Sequence, residues 1–186
     1  TTNKNSPSPE KNKLEGVAIG ANKYILPSTL PASMITDLPT GKKVARFVVG
    51  TSTSGWTSAD CDYLCDGTAD QTEINAAITA LPATGGEIVI LDGTYNITAK
   101  IDVTKDNISI RGNGRATILK RMFNSTSAEG VITLTSRSGC KIADLQVDGN
   151  KTSYTNNGYG IYLSSSNNNT ITGNTCNDNA NSDIYL

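Results

Sequence analysis

The chain has 186 residues, of which 16 are basic, 17 are acidic and none is histidine, and its formal charge at pH 7 is −1. This balance leaves no basic surface for nucleic acid, and the lack of histidine excludes serine–histidine and cysteine–histidine catalysis. Apolar residues make up 37% of the chain, and no apolar stretch reaches the roughly 18 residues that a membrane-spanning helix needs.

The composition of residues 1–43 predicts that they form an extended N-terminal arm. Five of the six prolines of the chain fall in it, and this punctuation interrupts any amphipathic period. The polar start of the arm has no apolar core of a secretory signal peptide. We expect the arm to pack on a partner, either another copy of the chain or a larger assembly, whereas residues 44–186 form the folded domain.

A helix is predicted over about residues 70–81, after a strand at 43–50 and before a strand at 87–91. Its start carries Asp70 as a capping residue and Glu73 at the reciprocal position of a capping box. Apolar residues then follow the spacing of one helix face: Ile74, Ala77, Ile78 and Leu81. A turn at 92–95 and a strand at 96–103 are expected after it.

Short phrases that end in Gly-Asn recur in the C-terminal half. They are ISIRGN (108–113), LQVDGN (145–150) and TITGN (170–174). Alternating apolar residues are typical of a half-buried strand, and Gly-Asn favours a tight bend. We interpret the phrases as equivalent strands of one repeat, with insertions at 121–130 and 151–159 that account for their unequal intervals.

A second phrase alternates with the first: VITL (131–134), GIYL (160–163) and DIYL (183–186). Such self-similarity indicates a solenoid. The sequence therefore predicts an all-β, right-handed, single-stranded parallel β-helix with its first coils at 87–186. The helix at 70–81 is expected to be its N-terminal capping helix, because a bare strand edge needs cover. The last phrase leaves the other end open, so we expect further coils after it.

Two motifs around the helix suggest a family. Asp66-Gly67-Thr68-Ala69-Asp70 forms a turn before the helix, and Gly85-Gly86 leads through alternating apolar residues to Gly93-Thr94-Tyr95. With these motifs, residues 44–186 resemble the opening of pectate-lyase-like right-handed parallel β-helix proteins. The resemblance is specific for fold and unspecific for activity, since that superfamily includes polysaccharide lyases and hydrolases as well as bacteriophage tailspikes and fibres.

The resemblance implies a structural virion protein of the tailspike or tail-fibre type. Its arm is then expected to attach to other virion proteins, the chain to form a homotrimer, and the distal part to bind a bacterial surface glycan. Three alternatives stay open: a polysaccharide lyase or glycoside hydrolase of the same fold, a capsid-attached head fibre or decoration protein, and a secreted bacterial surface adhesin, which the lack of a signal-peptide core disfavours. The expected location is the exterior of a phage tail or capsid, or extracellular if the protein is bacterial.

No residue stands out as catalytic, and neither a cofactor nor a metal site is predicted. Hydrolytic members of the family that the chain resembles use paired carboxylates on neighbouring coils. The weak candidates for such a role are Asp144 and Asp148, and Asp148 equally suits a turn. The spacing of Asp66 and Asp70 is not that of a calcium-binding loop, so we interpret them as turn residues.

Three arginines near the second coil are predicted to lie on the surface, where their positive charges would balance the negative charges of Asp102 and Asp106. They are Arg111, Arg115 and Arg121.

The four cysteines allow three interpretations, namely structural free thiols, a disulfide between Cys61 and Cys65, or metal ligands. Cys140 and Cys176 lie beside predicted strands, where they suit small core positions.

Tyr162 and Tyr185 occupy the same place in GIYL and DIYL. In a stacked repeat they should lie against each other on the outer surface. An exposed pair of aromatic rings is also a possible glycan contact.

Overall fold

The computed structural model describes residues 45–186, and the predicted arm lies outside them. Within this range the chain forms two short 3-10 turns, one helix, α1 (Gln71–Ala80), and fourteen strands. The strands are β1 (Arg46–Thr51), β2 (Tyr63–Cys65), β3 (Gly86–Ile90), β4 (Gly93–Ile97), β5 (Ile101–Val103), β6 (Ile108–Arg111), β7 (Thr117–Arg121), β8 (Gly130–Thr135), β9 (Lys141–Ala143), β10 (Gln146–Asp148), β11 (Tyr159–Ser164), β12 (Thr170–Thr172), β13 (Thr175–Asn177) and β14 (Ile184–Tyr185). Over the described part of the chain, no helix has the length and hydropathy of a membrane span.

The strands form three parallel sheets. The first sheet has the order β12-β9-β6-β3-β1-β2, the second β13-β10-β7-β4 and the third β14-β11-β8-β5. Each coil contributes one strand to each sheet, so that β3–β5, β6–β8, β9–β11 and β12–β14 are coils one to four. The all-β, parallel, β-helix-like architecture that the repeats predict is confirmed.

The core is a set of side-chain columns inside the stack. In the first sheet, Ile88, Ile110 and Ile142 pair in register from coil to coil and are fully buried. The second sheet contributes Tyr95, Leu119, Val147 and Cys176, and the third contributes Ile101, Ile132, Ile161 and Ile184. Burial decreases only at coil four, where Ile184 is 41% exposed.

The second sequence phrase has the predicted register, and the first does not. Ile132, Ile161 and Ile184 of VITL, GIYL and DIYL pair with one another in the third sheet. In contrast, ISIRGN and TITGN belong to the first sheet, whereas LQVDGN runs into β10 of the second. The Gly-Asn phrases are therefore not one repeat, because Gly-Asn suits a bend at either corner of a coil.

The true coil lengths follow from the first sheet. Glu87 pairs with Ser109, Ser109 with Lys141, and Lys141 with Thr170, so that successive coils take 22, 32 and 29 residues. The two predicted insertions account for the longer coils. Both lie at the same corner, between the second and third sheets: residues 122–129 connect β7 to β8, and residues 149–158 connect β10 to β11.

Helix α1 has the predicted apolar face but not the predicted cap. Ile74, Ala77 and Ile78 are buried. Asp70 forms no side-chain capping bond, because its carboxylate accepts hydrogen bonds from the backbone N–H groups of Gly67 at 2.8 Å and Asn96 at 2.7 Å. The predicted capping box is therefore wrong, since both carboxylate oxygens already have partners.

The helix covers only part of the first coil. Asn75 accepts a hydrogen bond from the N–H of Asp102 in the edge strand β5 at 3.0 Å, and Gln71 accepts one from the N–H of Thr98 at 2.9 Å. The first sheet continues past coil one through β1 and β2. The expectation of an N-terminal capping helix for the whole stack therefore needs correction: two strands precede the helix and extend one sheet beyond it.

The predicted charge balance is also wrong. Arg121 is fully buried, and Arg111 pairs with Glu87 at 2.8 Å. Asp102 instead pairs with Lys100 at 3.3 Å, and Asp106 with Arg137 at 3.7 Å. Arg121 follows Thr117 and Leu119 on the inward side of β7, so that strand alternation places it inside the coil.

All four thiols are free, and Cys140 is buried as predicted. Cys176 continues an inward column, half-buried. Cys65 is fully buried, whereas Cys61 is partly exposed and lies against the outer side of Gly50. The structure therefore supports structural thiols and not the alternative of a Cys61–Cys65 disulfide.

Candidate functional site: a tyrosine surface beside two long loops

Three tyrosines form one cluster on the outer face of the third sheet. Tyr159 and Tyr162 come from β11 and Tyr185 from β14, and the three ring centroids lie 5.0–5.1 Å apart. Tyr162 and Tyr185 are stacked with an interplanar angle of 13°, which confirms the predicted stack. We call these three residues the tyrosine surface.

The repeat does not place Tyr159 in this stack; from the sequence it is, like Trp56 and Tyr154, one of the aromatic residues suited to sugar contact. In a regular strand, residues three apart face opposite sides, so Tyr159 and Tyr162 should have been separated. In β11 both Gly160 and Ile161 are buried, and this interruption of the alternation brings Tyr159 to the outer face. The only sequence signal is Gly160, which weakens strand regularity.

On the outer face of the third sheet, the residues that pair in register with Tyr162 in coils two and one are polar. Tyr162 pairs in register with Thr133, and Thr133 pairs with Asp102. Since neighbouring strands are about 4.8 Å apart, Asp102 lies roughly 10 Å from the position of Tyr162. Thr133 is buried and its hydroxyl is bonded to Gly130, so the outer face offers the tyrosine rings at one end and the carboxylate of Asp102 at the other.

A groove of about 390 Å³ opens at the polar end of this face. It is lined by Lys100, Asp102, Val103, Thr104, Thr135, Ser136 and Arg137. Lys100 is paired with Asp102 at 3.3 Å, and the Nε of Arg137 donates to the carbonyl oxygen of Thr135 at 2.9 Å. The groove therefore combines paired charges with hydroxyl groups.

The two long loops border the tyrosine surface on its other side. Residues 149–158 lead directly into Tyr159, and the N–H of Tyr159 donates to the carbonyl oxygen of Glu129 at 3.3 Å. Glu129 ends the loop at 122–129. The backbone of Tyr159 thus joins the ends of the two loops.

Asp144 and Asp148 lie at opposite ends of β10. Asp144 is exposed in the bend before the strand, with a φ of 52°, and its backbone bonds to Thr172 and Gly114. Asp148 ends the strand and accepts a hydrogen bond from the N–H of Asn150 at 2.9 Å. This bond confirms the turn role of Asp148, while a catalytic role for the two carboxylates stays a prediction.

One group of side chains in the described range has metal-ligand character. The ligand atoms of Cys65, Asp70 and Glu73 lie within 4.8 Å of one another. Burial, followed by the charges of Asp70 and Glu73, raises the pKa of the Cys65 thiol far above its usual range. The thiol donates to the backbone carbonyl oxygen of Asp70 at 3.6 Å and is fully buried, as expected of a structural core group.

Comparison with known proteins identifies a family and a structural neighbour. The family model described as "Periplasmic copper-binding protein (NosD)" matches residues 52–186. The ORF18 protein of Geobacillus virus E2 is 23% identical, with a TM-score of 0.50. The match covers 68% of this chain and 25% of ORF18, so the chain spans about a quarter of that protein. No curated protein is similar enough to match.

The described residues do not fit a copper centre. Protein copper sites use imidazole, thiolate or thioether ligands, and the chain contains no histidine. In the cluster of Cys65, Asp70 and Glu73, both oxygens of Asp70 accept backbone hydrogen bonds. Within this cluster, Glu73 alone has a buried side-chain oxygen that lacks a partner among the described residues. One thiol and one free carboxylate oxygen, with no imidazole beside them, are too few ligands for a copper site.

Proposed function

Since the chain belongs to the NosD family of parallel β-helix proteins, we propose that it is the shaft of a bacteriophage fibre or tailspike that binds a bacterial surface glycan. The tyrosine surface carries this proposal. Aromatic rings offer large flat apolar areas that lose little conformational freedom on binding, and sugar rings present C–H faces of matching size. The adjoining polar groove supplies the hydrogen-bonding groups that orient such a ligand.

The proposal that the protein belongs to a phage particle has separate support. ORF18 of Geobacillus virus E2 shares the fold, and a proline-punctuated arm at 1–43 suits attachment to other virion proteins. A right-handed stack is part of the proposal, because parallel crossovers are right-handed in nearly all known cases. So are a homotrimer and a location on the outside of the virion, either on the tail or on the capsid.

Binding of the 186-residue chain to purified glycans tests the proposal. The panel contains capsular polysaccharides, O-antigen chains and wall teichoic acids, with affinity measured by biolayer interferometry. Tyr162→Leu should weaken binding about fivefold, since a lost aromatic contact is worth on the order of 1 kcal/mol. Tyr63→Leu is the matched control, because Tyr63 packs edge-to-face on Phe47 in β1, outside the tyrosine surface.

Two results would contradict the proposal. One is that the chain binds none of the glycans in the panel. The other is that Tyr162→Leu and Tyr63→Leu lower the glycan affinity equally. The bound polysaccharide is also assayed for new reducing ends and for unsaturated products. We expect neither, because Asp148 is engaged in a turn, and their appearance would favour the lyase or hydrolase alternative.

A further inference from the structure

Arg121 occupies a core position at the long corner. It ends the inward row of β7, pairs in register with Ile97 and has no exposed surface. No carboxylate of residues 45–186 forms an ion pair with it. A buried guanidinium without a counter-charge is costly unless its N–H groups are bonded.

The side-chain hydrogen bonds of Arg121 both reach the loop at 149–158, whereas its buried Nε has no partner among the described residues. Its Nη1 donates to the carbonyl oxygen of Tyr154 at 3.4 Å, and its Nη2 donates to the carbonyl oxygen of Asn156. The guanidinium carbon lies 5.1 Å from the ring centroid of Phe123, in the loop at 122–129. One side chain thus contacts the loops of two successive coils.

The end of the second loop is shaped around the same side chain. A Cβ added at Gly158 would occupy the space of Nη1 of Arg121. Gly158 is followed directly by Tyr159, whose ring contacts both other tyrosines. A second bond joins the loops, from the N–H of Asn156 to Oδ1 of Asn124 at 3.1 Å.

We propose that Arg121 is a positioning residue for the tyrosine surface, which it assembles by fixing the loop at 149–158 to coil two. The planar guanidinium holds two carbonyl groups of that loop at once, which the single ammonium group of a lysine does not reproduce. Arg121 acts through Tyr159 and does not itself touch the ligand. The inference rests on the proposed function for its ligand and on the contacts of Arg121 alone for its structural part.

The test compares Arg121→Lys and Arg121→Met with Arg115→Lys, an exposed arginine at the tight bend of coil two, as the matched control. Near-ultraviolet circular dichroism reports the tyrosine surface, and Tyr159→Leu assigns the part of the signal that comes from Tyr159. Hydrogen exchange reports the loop at 149–158. Both arginine variants should reproduce the spectral change of Tyr159→Leu and exchange that loop about tenfold faster, as expected for local opening.

A double-variant cycle with Arg121→Lys and Tyr159→Leu distinguishes a role of Arg121 in positioning Tyr159 from a role in the stability of the fold alone. Glycan affinity should decrease about tenfold in Arg121→Lys and in Tyr159→Leu, with little further loss in the double variant, because coupled residues are not additive. A purely structural role would lower the melting temperature and leave affinity and spectrum unchanged.

Additive losses, or an unchanged spectrum and unchanged loop exchange, would overturn the inference. If Arg121→Met does not fold, Arg121→Lys and Tyr159→Leu still decide the matter. If wild type binds no glycan, the proposed function fails, while the spectrum and the exchange rates test the role of Arg121 independently.

Discussion

Each coil bends at a tight corner between the first and second sheets and at a long corner between the second and third. The tight corner takes two to five residues and is bonded from coil to coil. Asn174, for example, accepts from the N–H of Leu145 at 3.3 Å and donates to the carbonyl oxygen of Ile142 at 2.9 Å. These bonds leave little room for insertions.

The long corner varies from three residues in coil one to ten in coil three. Instead of a repeated backbone pattern, individual contacts join its two longest loops. The buried Arg121 side chain bonds the loop at 149–158 and packs on Phe123 of the other loop, and further bonds join Asn156 to Asn124 and Tyr159 to Glu129. The comparison shows how a regular stack can carry an irregular surface: the tight corner and the core set the spacing of the coils, and the long corner is free to form a contact face. The following predictions test that division.

The largest effect is expected in the core. Ile132→Ala empties a fully buried position between Ile101 and Ile161 and should lower the free energy of unfolding by about 2–5 kcal/mol. Ile184→Ala, in the same column but 41% exposed, should cost much less. Urea denaturation measures both, and equal losses would show that the column does not hold the stack together.

A smaller effect should separate the two corners. A Cβ at Gly112 would lie 2.7 Å from the Cβ of Thr117 and 2.8 Å from the carbonyl oxygen of Asp144, so Gly112→Ala should cost about 1–3 kcal/mol. At the long corner, the atoms nearest to a Cβ at Gly158 belong to the buried guanidinium of Arg121, which would have to leave its carbonyl partners in the loop at 149–158.

Gly158→Ala should therefore open the loop at 149–158 and speed its hydrogen exchange, with a smaller shift of the urea midpoint than Gly112→Ala causes. If Gly158→Ala destabilises the whole domain as much as Gly112→Ala does, the long corner is as much a part of the fold as the tight one, and the comparison fails.

The smallest effect concerns pH. Burial raises the pKa of the Cys176 thiol from 9.0 to about 11. Above pH 9.0 the unfolded chain loses this proton while the folded state keeps it, so the contribution of the thiol to stability is full below pH 9.0 and is lost as the pH rises through about 11. Cys176→Ala should flatten this part of the alkaline stability curve.

Melting temperatures between pH 8 and pH 11 measure the difference, with Cys61→Ala at a more exposed thiol as the control. A wild-type slope in Cys176→Ala would mean that the core column is open to water at coil four. A flatter slope would show that water is excluded from the core as far as the last coil of the described range.

The parts of this molecule that follow from periodicity could be predicted from the sequence. The helix near 70–81, the register of GIYL with DIYL and the stack of Tyr162 on Tyr185 depend only on alternation and repetition. Gly-Asn misled the prediction, because the pair favours bends in general and does not distinguish one corner from another.

Arg121 and Tyr159 could not be placed for a different reason. Arginine is seldom buried without a carboxylate partner, so composition favours the surface, and only the carbonyl groups of a distant loop make the buried position acceptable. Tyr159 depends on a break in strand alternation at Gly160 and Ile161. Both are consequences of tertiary contacts at the long corner, where no repeat guides the interpretation.

Hydrogen exchange of the 186-residue chain, with and without the polysaccharide that it binds most tightly, tests the central claim most directly. If the tyrosine surface and the loop before it bind the polysaccharide, the amides within residues 150–163 and 183–186 should exchange more slowly in its presence. The amides of the tight corner at 112–117 and 144–145 should exchange at an unchanged rate. Protection at the tight corner, or no protection at the long corner, would contradict the assignment of the contact face.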